Sequence, residues 1–214
     1  MAARVIAVAQ QKGGTGKTTL LAHLALHWIK KGQRVAILDI DPQRSISTWW
    51  ALRQDRQRTK AKTEPLSVED VTGWRVPAAV DRLRSRADII LIDCPARAET
   101  DSRTAIRAAN LVLVPVQPGP MDIWATEPTL AAAKAEGRSV LLVFNRVPAR
   151  TRLAEEILKT VHETWGMDLA PSTIGNRIVF GSAMHQGRTA VEVEPSGAAT
   201  QEIAALADHI QIFL

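Results

Sequence analysis

Residues 10 to 19 read Gln10-Gln11-Lys12-Gly13-Gly14-Thr15-Gly16-Lys17-Thr18-Thr19, a glycine-rich stretch with two lysines that ends in hydroxyl residues. Glycines let backbone N–H groups close on an anion without Cβ obstruction, and a helix N-terminus adds a favourable dipole. The stretch lies between Arg4 to Ala9, a β-branched apolar run suited to a buried strand, and Thr18 to Lys31, which has helical periodicity. Strand, glycine loop and helix make a phosphate-binding loop of Gly13, Gly14, Thr15, Gly16, Lys17, Thr18 and Thr19. In it Lys17 reaches the β- and γ-phosphates of a nucleotide and the Thr18 hydroxyl ligates Mg²⁺. Five residues before Gly16, where the common pattern has glycine, this chain has Gln11, and Lys12 is a lysine beyond the one such a loop needs.

Further candidates fall where apolar runs end. Val35 to Asp39 leads into Asp39-Ile40-Asp41-Pro42-Gln43, with two carboxylates on one side of an extended segment. One of them can orient a metal and its waters, the other an attacking water. Ile89 to Ile92 ends in Asp93-Cys94-Pro95, a carboxylate at a strand end suited to holding Mg²⁺ through water. Phe144-Asn145-Arg146 places an amide at the height where a nucleotide base would lie.

Positioning these groups requires a layered α/β fold. The runs Val35 to Asp39, Asp88 to Asp93, Leu111 to Val116, Val140 to Asn145 and Leu169 to Ile174 are continuously apolar, as strands covered on both faces must be. Helical stretches are expected at Ser45 to Arg58, Trp74 to Arg86, Asp101 to Ala109, Asp122 to Glu136, Arg152 to Thr164 and Ser196 to Ile210. The alternation predicts one doubly wound, mostly parallel sheet with helices on both faces, and ligands gathered at the carboxyl ends of its strands. With 214 residues and no Pro/Gly/Ser-rich linker, residues 1–214 read as one domain, without an N-terminal helix-turn-helix domain.

Composition narrows the function classes. Hydrophobic residues make up 46% and charged residues 23%, the balance of an ordinary globular chain, and no apolar run approaches the ~20 residues that span a bilayer. A cytoplasmic location is expected. The single cysteine, Cys94, rules out an intrachain disulfide and a cysteine-rich metal site. The net charge of +5 permits polyanion binding, and it is unevenly distributed. Residues 44 to 62 carry Arg44, Arg53, Arg56, Arg58, Lys60 and Lys62 against Asp55, whereas residues 189 to 214 hold acids and neither lysine nor arginine. Trp28, Trp124 and Trp165 sit at helical core spacing.

Taken in order, KGGTGKTT at 12 to 19, DIDPQ at 39 to 43, IILIDCP at 89 to 95, VFNR at 143 to 146 and RIVFGSAMHQG at 177 to 187 resemble the ParA/MinD family of deviant Walker ATPases, in particular its short ParA-type positioning members. The resemblance covers nearly the whole chain. It implies a P-loop NTPase fold, ATP and Mg²⁺ as ligands, and slow intrinsic ATP hydrolysis. Lys12 then corresponds to the signature lysine that reaches across a sandwich dimer to phosphates bound by the other subunit. Asp41 corresponds to the residue that positions hydrolytic water, with Asp39 in support and beside the metal, Asp93 near Mg²⁺ and Asn145 on the adenine side. Such proteins bind DNA non-specifically as ATP dimers on the nucleoid and are released when a ParB-like, cargo-bound partner stimulates hydrolysis. Candidate DNA contacts here are Arg177 and Arg188, Arg150 and Arg152, and Arg53 and Arg56. The alternatives are a metabolic P-loop phosphotransfer or synthetase enzyme and a MinD-like membrane-cycling regulator; the second is disfavoured because nothing basic follows Arg188.

Overall fold

In a computed structural model, the described residues are 3–57, 65–97, 99–149, 156–157, 159–161 and 169–213. Arg150, Arg152, Lys60 and Trp165, together with most of the helix expected at Arg152 to Thr164, lie outside them.

Six strands form one sheet: β1 (Arg4–Val8), β2 (Val35–Asp39), β3 (Leu66–Asp70), β4 (Ile89–Asp93), β5 (Leu111–Val116) and β6 (Ser139–Phe144). Their order is β3-β2-β4-β1-β5-β6, and every pairing is parallel. The apolar runs end up buried on both faces because successive side chains point to opposite sides. Ile6, Val8, Leu111 and Leu113 pack under α1 (Lys17–Lys30), α2 (Ser45–Gln57), α7 (Ile178–His185), α8 (Ala190–Val193) and α9 (Ala198–Ile210). Val5, Ala7, Val112 and Val114 pack under α3 (Val76–Leu83), α4 (Glu99–Ala108) and α6 (Glu127–Ala135). Among the described residues no helix is long and apolar enough to cross a membrane.

The structure departs from the sequence reading at several places. Leu66–Asp70 is an edge strand, only its first residue fully buried, inside a stretch with no expected element. Leu169 to Ile174 is not a strand: the region contributes isolated bridges, Leu142 to Leu169 and Val147 to Gly175. The helix expected from Asp122 to Glu136 is two, α5 (Pro120–Trp124) and α6, broken at Ala125 and Thr126 just before Pro128. Trp124 was expected in the core, yet it stands 67% exposed on the short α5, whose five residues bury none of their side chains fully.

Register aligns the chemistry. Val8 pairs with Asp93 and Asp39 pairs with Asp93, so the last residues of β1, β4 and β2 lie side by side. The glycine loop leaves β1 at this same edge.

Candidate nucleotide site

Two glycines give the loop its curvature. Gly14 has φ 79° and Gly16 has φ 89°, a left-handed region in which an L side chain is strained. A Cβ on Gly14 would meet no neighbour within 4 Å, while one on Gly16 would sit 2.5 Å from Asn145 Nδ2. The loop is braced from outside. Asn145 Nδ2 donates to the Thr15 carbonyl at 2.7 Å, and Gln117 Nε2 donates to the Gly14 carbonyl at 3.0 Å. Lys17 is buried at the start of α1 and donates through Nζ to the Gln10 carbonyl at 3.2 Å. The buried Thr15 Oγ1 has no partner.

The acidic groups converge below the loop. Asp39 and Asp93 are both fully buried. The Thr18 hydroxyl donates to Asp93 Oδ2 at 2.7 Å, leaving Asp93 Oδ1 buried without a partner. Burial pushes the Asp93 carboxyl up to about 7, helped by the neighbouring Asp39 and Asp41 charges and opposed by the Thr18 hydrogen bond and the Lys17 ammonium. Asp39 is also raised by burial, against hydrogen bonds from the Ser47 N–H at 3.1 Å, the Ser47 hydroxyl at 2.6 Å and the Asp41 N–H at 3.2 Å. Asp41 is partly exposed at the mouth and accepts the Gln43 N–H at 2.9 Å.

These features fit a nucleotide with Mg²⁺. The donor set is all oxygen, as a hard divalent cation requires, and two orphaned buried oxygens, Thr15 Oγ1 and Asp93 Oδ1, face no protein donor. Among the described residues no group of three or more His, Cys, Asp or Glu could enclose a metal alone. That matches an ion that keeps waters and shares phosphate oxygens.

Beside the loop lies a cavity of about 220 Å³, lined by Gly16, Thr19, Asn145, Arg146, Arg177 and Phe180 among others. Asn145 therefore touches both the loop and this cavity. Arg177, one of the expected DNA contacts, is exposed and also lines this cavity, with Nε and Nη2 donating to Glu202 at 3.0 and 2.6 Å; Glu202 also accepts the Gly175 N–H at 3.1 Å.

Arg53 requires correction as a DNA contact. It is 3% exposed, and its guanidinium donates to Glu192 Oε2 and Oε1 at 2.9 Å each and to the Gly187 carbonyl at 3.0 Å. A group held this way cannot reach a phosphate backbone. It clamps α2 to the turn before α8, where Arg56 donates to the Gln186 carbonyl at 2.8 Å and Trp49 Nε1 to the Arg188 carbonyl at 3.4 Å. Arg188 Nη2 donates to the Glu192 carbonyl at 2.6 Å.

Lys12 stands at the mouth, its side chain 35% exposed, with Nζ 2.8 Å from Asp122 Oδ1 on α5. Sequence reasoning missed Asp122, Gln117 and Ser47 as neighbours of the site. Only Ser47 carried a usable signal, being a hydroxyl at the start of the helix that follows the Asp39 to Asp41 loop.

The curated relatives agree with this architecture. The chain is 24% identical over 215 residues to maintenance of carboxysome distribution protein A of Halothiobacillus neapolitanus, covering 96% of this chain and 95% of that one. It is 27% identical over 236 residues to the chromosome-partitioning ATPase Soj of Thermus thermophilus, covering 97% and 95%. Among solved structures, an ATP complex of a Cyanothece McdA variant superposes with a TM-score of 0.80 at 16% identity, over 98% of this chain and 96% of that one. A family model described as ATPase MipZ matches residues 4–128, more than half of the chain, and the chain accordingly belongs to the MipZ/ParA-type ATPases.

Proposed function

We propose that the chain is a ParA-type positioning ATPase. ATP joins two copies in a sandwich dimer, the dimer binds DNA without sequence preference, and a cargo-bound partner stimulates hydrolysis and so releases it. The cargo is a plasmid, a chromosome or a protein assembly, and residues 1–214 act as one ATPase domain on the nucleoid. The observation that carries this reading is the pair of lysines on one loop. Lys17 is buried and bonded to the Gln10 carbonyl within its own loop, whereas Lys12 is partly exposed at its mouth.

The residues divide the work. Gly13 to Thr19 present backbone N–H groups and the α1 dipole to phosphates, and Lys17 adds a fixed positive charge. The Thr18 hydroxyl and the Asp93 carboxylate would hold Mg²⁺, with Asp39 beside them. The ion, when bound, neutralises charge on the phosphates. Asp41, at the open end of the acidic row, orients water for in-line attack. Lys12 of a second copy offsets charge developing on the transferred group, as an arginine finger does. Arg56, Arg177 and Arg188, with Arg150 and Arg152 beyond the described residues, are the candidate DNA contacts left once Arg53 is removed.

The test is binding to unrelated duplex DNA with ATP, with ADP and without nucleotide, across a salt series. Binding confined to ATP is expected, with log K falling against log[salt] by about 0.9 per phosphate neutralised. Absence of binding in all three states at low salt would overturn the reading.

A further inference from the structure

The contacts around Lys12 close on themselves. Its backbone N–H donates to Gln10 Oε1 at 3.4 Å, and Gln10 Nε2 donates to Thr126 Oγ1 at 2.8 Å. The Thr126 hydroxyl donates to the Asp122 carbonyl at 2.8 Å, and Asp122 Oδ1 meets Lys12 Nζ at 2.8 Å. Starting from the main chain of Lys12, three residues, Gln10, Thr126 and Asp122, lead back to its ammonium. Donor and acceptor roles leave little freedom here. With its proton given to the Asp122 carbonyl, the Thr126 oxygen can take only a donor, which fixes the Gln10 amide with its oxygen toward Lys12.

The two ends of the ring differ in kind. Gln10, Thr126 and Thr129 are buried, Thr129 Oγ1 also donates to Gln10 Oε1 at 3.4 Å, and the Gln10 carbonyl accepts Lys17 Nζ. Undoing that end would strand buried polar groups. The Lys12–Asp122 contact joins a partly exposed ammonium, its side chain 35% exposed, to a buried Asp122 Oδ1, and is a charge contact outside hydrogen-bond alignment. It is the link of the ring that rests on no aligned hydrogen bond and whose cation already reaches water.

We propose that Asp122, presented by Thr126 and Gln10, is a positioning residue that stores the Lys12 ammonium within its own chain, and that this ion pair is exchanged for phosphate when a second copy docks. The exchange rests on the dimer reading above; the storage does not. Asp122 is carried on the five-residue α5, and Thr126, at the break between α5 and α6, anchors the ring through its hydroxyl.

The experiment has two arms, each on the full chain. In the nucleotide-free protein, acylation of Lys12 by an amine-reactive ester is followed by mass spectrometry. Asp122→Asn, which is isosteric, and Thr126→Val, which drops the hydroxyl, are each expected to label about threefold faster than wild type, the strength of a part-exposed ion pair. Equal rates in all three proteins overturn the ring. In the second arm, dimerisation with a non-hydrolysable ATP analogue is measured by sedimentation. Each dimer opens two rings, so Asp122→Asn is expected to dimerise about tenfold more tightly. In a Lys12→Ala background the substitution is expected to change nothing, and a gain that persists there overturns the role through Lys12. A wild-type chain that labels as expected but stays monomeric with the analogue overturns the exchange and the dimer reading while supporting storage.

Discussion

Replacing Arg53 with methionine separates a structural clamp from a DNA contact. The substitution keeps an apolar stem against Trp49, whose ring lies 5.6 Å from the guanidinium carbon, and removes the charge. It leaves Glu192 without its two 2.9 Å donors and the Gly187 carbonyl without its 3.0 Å donor. Removing one partner of a fully buried pair costs about 3–5 kcal/mol, and the partial exposure of Glu192 lets water recover some of that, so about 2–3 kcal/mol is expected. In urea, with a slope of about 2–3 kcal/mol per molar for a chain of this size, the midpoint should fall by about 1 M. The double substitution with Glu192→Gln should cost less than the sum of the two single changes, because they share one interaction. DNA affinity of the folded variant at fixed salt should stay within about twofold of wild type. An unchanged urea midpoint, with a salt slope reduced by about one, would refute the clamp and return Arg53 to the DNA surface.

Lys17→Ala should abolish nucleotide binding measured by calorimetry, since it removes the one buried cation of the loop; retained tight binding would exclude it from the site. Asp41→Ala should bind ATP, fail to turn it over and accumulate as a DNA-bound dimer in sedimentation, and normal turnover would contradict its assignment. His23 makes the fold acid-sensitive. Burial lowers its imidazole to about 4 against the ordinary 6.5, the Thr19 carbonyl and Glu192 opposing the shift. The unfolded chain therefore binds a proton first, and stability is intact above pH 6.5 and falls as pH drops toward 4, by up to about 3 kcal/mol. In His23→Leu that part of the acid loss should vanish from chemical denaturation at pH 4.5 relative to pH 7.5; an identical loss in both proteins would show that His23 titrates freely.

The parts of the fold that were legible are those where local sequence and tertiary role coincide. Continuous apolar runs such as Leu111 to Val116 announce strands covered on both faces, and the glycine loop announces its own geometry. The edge strand Leu66–Asp70 was invisible because one exposed side lets it carry serine and acids in alternation. Helix α7 was missed because Gly181 sits in its middle and its residues show no polar face. The site divides in the same way. Asp39, Asp93 and Thr18 were readable because strand ends and a helix start place them in order. Arg53 was misread because charge in a sequence does not disclose a partner 139 residues away, and the partnership of Lys12 with Asp122 spans the chain likewise.

The central claim is that Lys12 serves another copy of the chain, and mixing two inactive variants tests it. Lys12→Ala retains a complete site of its own but offers no lysine, whereas Asp41→Ala offers Lys12 but cannot orient water. If Lys12 acts in trans, a mixed dimer regains one complete site, and an equimolar mixture should recover about a quarter of the wild-type ATP turnover under random pairing. Turnover no higher than the average of the two variants alone, with mixed dimers formed, would contradict it and leave Lys12 a residue of its own site.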